Sequence, residues 1–336
     1  MRYLSLFSGI ESASVAWEPL GFEAVAFAEI DKFASSLLAK KYPKIPNLGD
    51  VTKITEQQIK DLGEIDLIVF GSPCQDLSIA GKRAGLEGGR SGLFRTAINI
   101  IQWARKHCGL RFALWENVPG AFGSNQGRDF ATVVSLLAGI DHLEPPKNGW
   151  GREGAAVGDA GMLEWSVLDA QYFGVAQRRE RVFAVVDFGD WASRPPILLE
   201  PESLRGNPPA RRTERKGIAT NTSAGTGSEC YRLISFGQYK TDSIASTLRA
   251  RDGRDATDLI TECYYIAVLT HEQNKYQVRR LTPLECERLM GFPDNYTDIL
   301  STTQRYRTLG NSMAVPVMRW IGIKLKKYAN WTTMNE

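Results

Sequence analysis

Up to about residue 120 the chain repeats one rhythm, a short apolar run, a Gly- or Pro-marked turn, then a helical pattern. Leu4–Phe7 closes on Ser8-Gly9 before a helical stretch over Ser12–Glu18, and Ala24–Ala28 closes on Glu29-Ile30-Asp31 before another over Phe33–Lys41. Leu67–Phe70 ends in Gly71-Ser72-Pro73-Cys74, and Phe112–Trp115 in Glu116-Asn117-Val118-Pro119. Strands alternating with helices predict βαβ units and a parallel sheet, which confines the chain to the α/β class. Ligands of such sheets sit at the carboxyl ends of the strands, where these polar residues fall.

Further along, Glu144 to Gly161 shifts to Pro, Gly and polar residues and reads as a surface insertion. Strand-like runs return at Glu164–Leu168 and Arg181–Phe188, after which 189–262 loses the α/β rhythm and holds short strands at best. Helical periodicity resumes at Thr282–Met290, with Thr282 as N-cap before Pro283, and at Val315–Tyr328. The expected division is therefore 1–188, then an irregular domain over 189–283, then a segment over 284–336 that returns to the first.

Composition narrows the function classes. At 336 residues, 43% hydrophobic and 24% charged, the chain has the makeup of a globular protein of about two domains. No apolar run approaches the ~18 residues of a membrane span, and Glu11 interrupts the amino terminus before a signal-peptide core forms, so a cytoplasmic, membrane-free protein is expected. Five scattered cysteines without a C-x-x-C pair, and three histidines, give no start to a metal cage. Residues 189–283 hold 14 Lys/Arg against 11 Asp/Glu, which accounts for the whole formal charge of +3. Such a segment is either a solvated surface or a polyanion-binding one.

The loop Phe7-Ser8-Gly9-Ile10-Glu11-Ser12 lacks both G-x-G-x-x-G and the phosphate-loop pattern, which leaves room for a nucleoside without a pyrophosphate. Glu29, about twenty residues on, stands where an acidic side chain accepts from ribose hydroxyls, although a capping carboxylate at a surface turn reads as well. The turn around Cys74 puts a thiol at a strand terminus, where backbone N–H groups and cations stabilise a thiolate. Gln75 to Phe94, rich in glycine and carrying Lys82, Arg83 and Arg90, reads as a cationic flap over a site. Glu116, at the end of an apolar strand, suits a proton donor, with a helix-capping pair as the bland alternative. In Gln177-Arg178-Arg179-Glu180-Arg181, strand alternation turns Arg179 and Arg181 to the same side.

Taken together these blocks resemble the DNA (cytosine-C5) methyltransferases, and they stand in that family's order. They are Leu6-Phe7-Ser8-Gly9, Glu29-Ile30-Asp31, Gly49-Asp50-Val51, Gly71-Ser72-Pro73-Cys74-Gln75, Glu116-Asn117-Val118, Gln177 to Arg181, Arg280 through Pro293, and Gly310-Asn311-Ser312. Two positions depart from the pattern: Glu11-Ser12 replaces Gly-Gly, and Ile30 stands where some members carry an aromatic.

The resemblance implies a Rossmann-like, S-adenosylmethionine-dependent sheet with helices on both faces, plus a smaller, mainly β target-recognition domain. It also implies the chemistry. Cys74 adds to cytosine C6, Glu116 protonates N3, Arg179 and Arg181 hold the O2 and phosphate side, C5 takes the methyl group, and loss of the C5 proton with elimination of Cys74 releases the product. Phe7, Ser8, Gly9, Ile10, Glu29, Ile30, Asp50, Val51, Asn311 and Ser312 would hold S-adenosylmethionine, and no metal is needed. Because a stacked base hides C6, the cytosine must flip out of double-stranded DNA. Gln75, Ser78, Lys82, Arg83 and Arg90 of the flap and Arg249, Arg251 and Arg254 of the variable segment would contact DNA, with Thr247-Leu248 resembling a short block of the recognition domain. The expected protein is a monomeric, prokaryotic cytoplasmic enzyme, nucleoid-associated through DNA binding and of the restriction-modification kind. An RNA cytosine methyltransferase and a catalytically silent DNA-binding relative are the alternatives.

Overall fold

A computed structural model describes residues 1–72, 92–199, 230–235, 238–242, 264–270 and 275–329, with side chains outside the 230–280 strands. The seven-stranded sheet uses β1 (Arg2–Leu6), β2 (Glu23–Ala28), β3 (Leu67–Phe70), β4 (Phe112–Asn117), β5 (Glu153–Val157), β6 (Met162–Asp169) and β7 (Glu180–Asp187). Their spatial order is β2-β1-β3-β4-β7-β6-β5. The β2-β1-β3-β4 half is parallel, and β4 then pairs antiparallel with β7, as β5 does with β6. Every residue of β3 is buried, as a parallel strand covered on both faces requires, and this is why the Leu-Ile-Val-Phe run was readable.

One face packs Leu4, Leu6, Ile68, Phe70, Ala113 and Trp115 against α3 (Glu56–Asp61), α4 (Gly92–His107) and α5 (Arg128–Ala138). In α4, Phe94, Ala97, Ile98, Ile101 and Ala104 recur at the three- and four-residue spacing of a helix with one buried stripe. The opposite face carries α1 (Ser12–Trp17), whose Trp17 meets Tyr3 edge-on at 5.2 Å. Trp17 also lies against Gly322 of α8 (Val315–Ala329), where a Cβ would sit 2.5 Å from the indole. A further helix, α2 (Lys32–Lys41), follows β2 and is N-capped by Asp31.

The stretch read as a surface insertion supplies a strand. Trp150 packs edge-on against Phe130 at 5.0 Å and Trp165 at 5.7 Å, and its Nε1 donates to the Gly127 carbonyl at 2.9 Å. Gly154 in β5 lies so close under Trp165 that a Cβ would come within 2.3 Å of the ring. The glycine that suggested a turn is there to admit an indole.

The chain forms two compact units: Met1–Leu168 with Arg181–Asn207 and Ile321–Glu336, and Asp169–Glu180 with Pro208–Trp320. Residues 189–199 thus group with the first unit and 284–320 with the second, where the sequence-based boundaries had them the other way round. The second unit contains an antiparallel sheet in the order β11-β10-β8-β9, from β8 (Cys230–Ser235), β9 (Gln238–Asp242), β10 (Tyr264–Thr270) and β11 (Lys275–Arg280). It also holds α6 (Pro283–Met290), capped by Thr282 in a reciprocal box with Glu285, and α7 (Thr302–Asn311), a polar helix the sequence reading passed over. No described helix is long and apolar enough to cross a membrane.

Candidate active site

Three residues in five adopt left-handed backbone after β1: Phe7 at φ 53°, Gly9 at 56° and Glu11 at 62°. Two of them carry side chains that resist this conformation, the kind of strain that collects at functional sites. Ser8 locks the loop to β2, its hydroxyl donating to Ser5 O at 2.9 Å and accepting from Ala28 N at 3.1 Å. Glu29, just beyond β2, accepts from Gly9 N and Asp31 N, both at 2.7 Å, so its carboxylate joins the two loops expected to bind cofactor. Ile30 beside it is 74% exposed, although large and apolar.

Asn47, which no motif announced, stabilises this edge. Its side-chain oxygen accepts from Glu29 N and Gly49 N, and its amide donates to Glu29 O and Ser35 Oγ. Asp50 then caps the turn Val51–Lys53, with Val51 buried in the core; the Thr52 hydroxyl and amide hold the Asp50 carboxyl below its usual range. Asn311 and Ser312, also expected to meet cofactor, lie in the second unit at the end of α7.

At the carboxyl end of β3, Ser72 is pinned from β4: Trp115 Nε1 donates to its hydroxyl at 3.2 Å and Asn117 Nδ2 to its carbonyl at 3.1 Å. Those bonds fix the position of Ser72, the last described residue before the Cys74 turn. Cys74, Gln75, Ser78, Lys82, Arg83, Arg90, Arg249, Arg251 and Arg254 lie outside the described residues, as does Thr247-Leu248. Glu116 is described. β4 and β7 pair Glu116 with Phe183, and Arg181 on β7 brings its Nε to 3.2 Å from Glu116 Oε1, both side chains mostly buried.

Arg179, expected to act beside Arg181, makes bonds of its own. Arg179 precedes β7, where its backbone bonds to Asp169 and Ala170 turn it into the second unit. Its guanidinium, 2% exposed, donates to Gly310 O at 3.1 Å and Ser312 O at 2.6 Å. Strand alternation does not govern a residue held outside the strand. Asp169 itself accepts from Gln171 N and Arg179 N, and burial raises its carboxyl above the usual range.

The family model for C-5 cytosine-specific DNA methylase matches residues 1–186 and 203–327. The protein named DNA N-6-adenine-methyltransferase of Escherichia phage P1 is 33% identical over 97% of this chain, which spans 61% of that relative's length. Type II methyltransferase M.HpaII of Haemophilus parainfluenzae is 29% identical, covering 98% of this chain and 90% of its own. Type II methyltransferase M.HhaI of Haemophilus parahaemolyticus is 26% identical, covering 98% and 96%. Among solved structures, the S. pombe Dnmt2 methyltransferase superposes with a TM-score of 0.66 at 18% identity over 97% of this chain and 99% of that one, which shows the shared fold.

Proposed function

Because the chain belongs to the C-5 cytosine-specific DNA methylase family, a family of S-adenosylmethionine-dependent methyltransferases, we propose that it methylates C5 of a cytosine in double-stranded DNA with Cys74 as nucleophile. The loop residues fit that cofactor. Space over Gly9 is open, with no atom within 4 Å of where a Cβ would stand, and Glu29 offers carboxylate lone pairs beside an exposed apolar Ile30. Phe7–Ser12 contains no Lys or Arg for a pyrophosphate. Gly9, Glu29, Ile30 and Asp50 would hold the cofactor, which when bound supplies an electrophilic methyl group.

The chain's own residues do the rest. The Cys74 thiolate attacks C6 of the flipped base, which breaks the 5,6 double bond and makes C5 nucleophilic. Glu116 donates a proton at N3, with Arg181 held against it to fix its orientation and neutralise charge on the base. The observation that carries this reading is the mostly buried Glu116–Arg181 pair on neighbouring strands, next to the strand end where Ser72 is pinned before Cys74. Recognition of a particular sequence is assigned to 189–283, where the net positive charge sits.

The test is covalent trapping. On duplex DNA carrying 5-fluorocytosine in methylated sites, the unremovable fluorine should freeze a Cys74 adduct, and Cys74→Ala should form none. Normal turnover on ordinary DNA without an adduct on the fluorinated duplex would remove Cys74 from the mechanism. The name of the phage P1 relative favours a second reading, methylation of adenine N6. Mass spectrometry of nucleosides from treated DNA separates the two: 5-methylcytosine is expected, and N6-methyladenine alone would establish the second.

A further inference from the structure

Glu11 occupies a position where the family resemblance leads one to expect glycine, and its backbone keeps the glycine-like conformation, φ 62° and ψ 60°. A side chain there costs about 1–2 kcal/mol against a right-handed conformation. The side chain is fully buried and turns down beneath the loop. Its Oε1 accepts from Ser14 N at 3.1 Å, Ser14 Oγ at 3.2 Å and Tyr3 OH at 3.4 Å. Tyr3 and Ser14 are themselves joined at 2.6 Å, which makes a closed polar cluster linking β1, the loop and α1. The Glu11 backbone N–H meanwhile donates to Ser8 O at 3.0 Å and closes the turn over Gly9 and a fully buried Ile10.

We propose that Glu11 is a positioning residue for S-adenosylmethionine: its buried carboxyl holds the cofactor loop from beneath in the left-handed turn that a glycine would adopt freely. The inference rests on the reading of Phe7–Ile10 as the cofactor loop. Two carboxylates then clamp that loop. Glu29 holds Gly9 N from the side of β2, and Glu11 anchors the end of the turn to β1 and α1. Glu29 is placed to meet ligand. Glu11, sealed under the backbone, acts only through the loop it shapes.

The arrangement carries a signature that simple packing would not. Burial pushes the Glu11 carboxyl up to about 7, while the hydroxyls of Ser5, Ser14 and Tyr3 and the Ser14 amide pull the other way. Tyr3 is the titratable neighbour, and its phenol is raised far above its usual range by burial and by Glu11, so it stays neutral near pH 7. A carboxyl raised in the closed loop favours that loop at low pH and disfavours it once ionised, so cofactor affinity should weaken as pH rises through about 7.

The experiment measures S-adenosylhomocysteine binding to the full chain by calorimetry between pH 5.5 and 8.5, for wild type, E11Q, E11A and E11G. Wild-type affinity should fall several-fold across that range beyond any change seen in E11Q, in which titration of the ligand itself persists. E11A, which keeps the strained backbone without the anchor, should bind about tenfold more weakly. E11Q, whose amide oxygen accepts the same bonds, should rescue binding, and E11G should recover part of it by relieving strain. If E11A fails to fold, the E11Q profile decides alone. E11A binding like wild type, or E11Q following the wild-type pH profile, overturns the inference while the cofactor assignment stands. No binding by wild type at any pH overturns both.

Discussion

Replacing Arg194 by Met should be among the most damaging single changes outside the active site. Its guanidinium is buried between two buried carboxylates, with Nε 2.6 Å from Asp187 Oδ2 and Nη1 2.8 Å from Glu164 Oε1. Without it, Asp187 keeps Arg111 at 3.3 Å and the Gly189 amide, whereas among the described residues Glu164 keeps only the amides of Ile197 and Leu198 and no cation. Stranding a buried charge in this way costs about 3–5 kcal/mol, a large share of the ~5–15 kcal/mol that holds a domain together. At ~2–4 °C per kcal/mol the melting transition should drop by about 10 °C. Thermal denaturation followed by circular dichroism reads this directly. The double variant Glu164→Gln with Arg194→Met should melt above Arg194→Met alone, because the glutamine oxygen still accepts from Ile197 and Leu198 with no charge left unpaired. Additive losses, or an Arg194→Met protein within ~1 kcal/mol of wild type, would refute this account. The network also anchors residues 194–198, which open the segment assigned to sequence recognition, within the first unit.

Legibility varied with the range of the interactions. Four parallel strands were readable because burial on both faces leaves nearly uninterrupted apolar runs, and the Thr282 cap was readable because its partner is three residues away. β5 was hidden because an edge strand has little apolar sequence, and its Gly154 is explained by an indole on another strand. Asn47 makes its bonds to a loop 18 residues back and matches no pattern. That Glu11 departs from the family pattern was visible in the sequence, but the direction of its side chain under the loop was not. Arg179 shows the same limit from the other side. Alternation paired it with Arg181, while its Nη2 donates to carbonyls more than 130 residues away.

Glu116→Gln should lower single-turnover methylation at least a hundredfold while DNA affinity changes little, since an amide hydrogen-bonds near N3 but is a poor proton donor; equal rates would make Glu116 structural. Arg179→Met should raise KM for S-adenosylmethionine more than it lowers kcat, because its Nη2 holds the carbonyls on either side of Asn311. A pure kcat loss with unchanged cofactor affinity would instead support a direct role for Arg179 at the base. Stability against pH gives the last test. Glu11 goes from 4.5 when exposed to about 7 in the folded chain. Because the folded value is raised, its contribution is fully favourable below about 4.5 and is lost as pH climbs through about 7. Each unit is worth ~1.4 kcal/mol, so the loss reaches roughly 3 kcal/mol. Asp50, whose carboxyl is lowered, works with the opposite sign and loses stability as pH falls, so the raw profile mixes the two. The difference between wild type and Glu11→Gln in urea denaturation isolates the buried acid, and it should grow between pH 5 and 7 and then level off. A difference independent of pH would mean that Glu11 titrates as an exposed acid, and the sealed cluster with Tyr3 and Ser14 would not exist in solution.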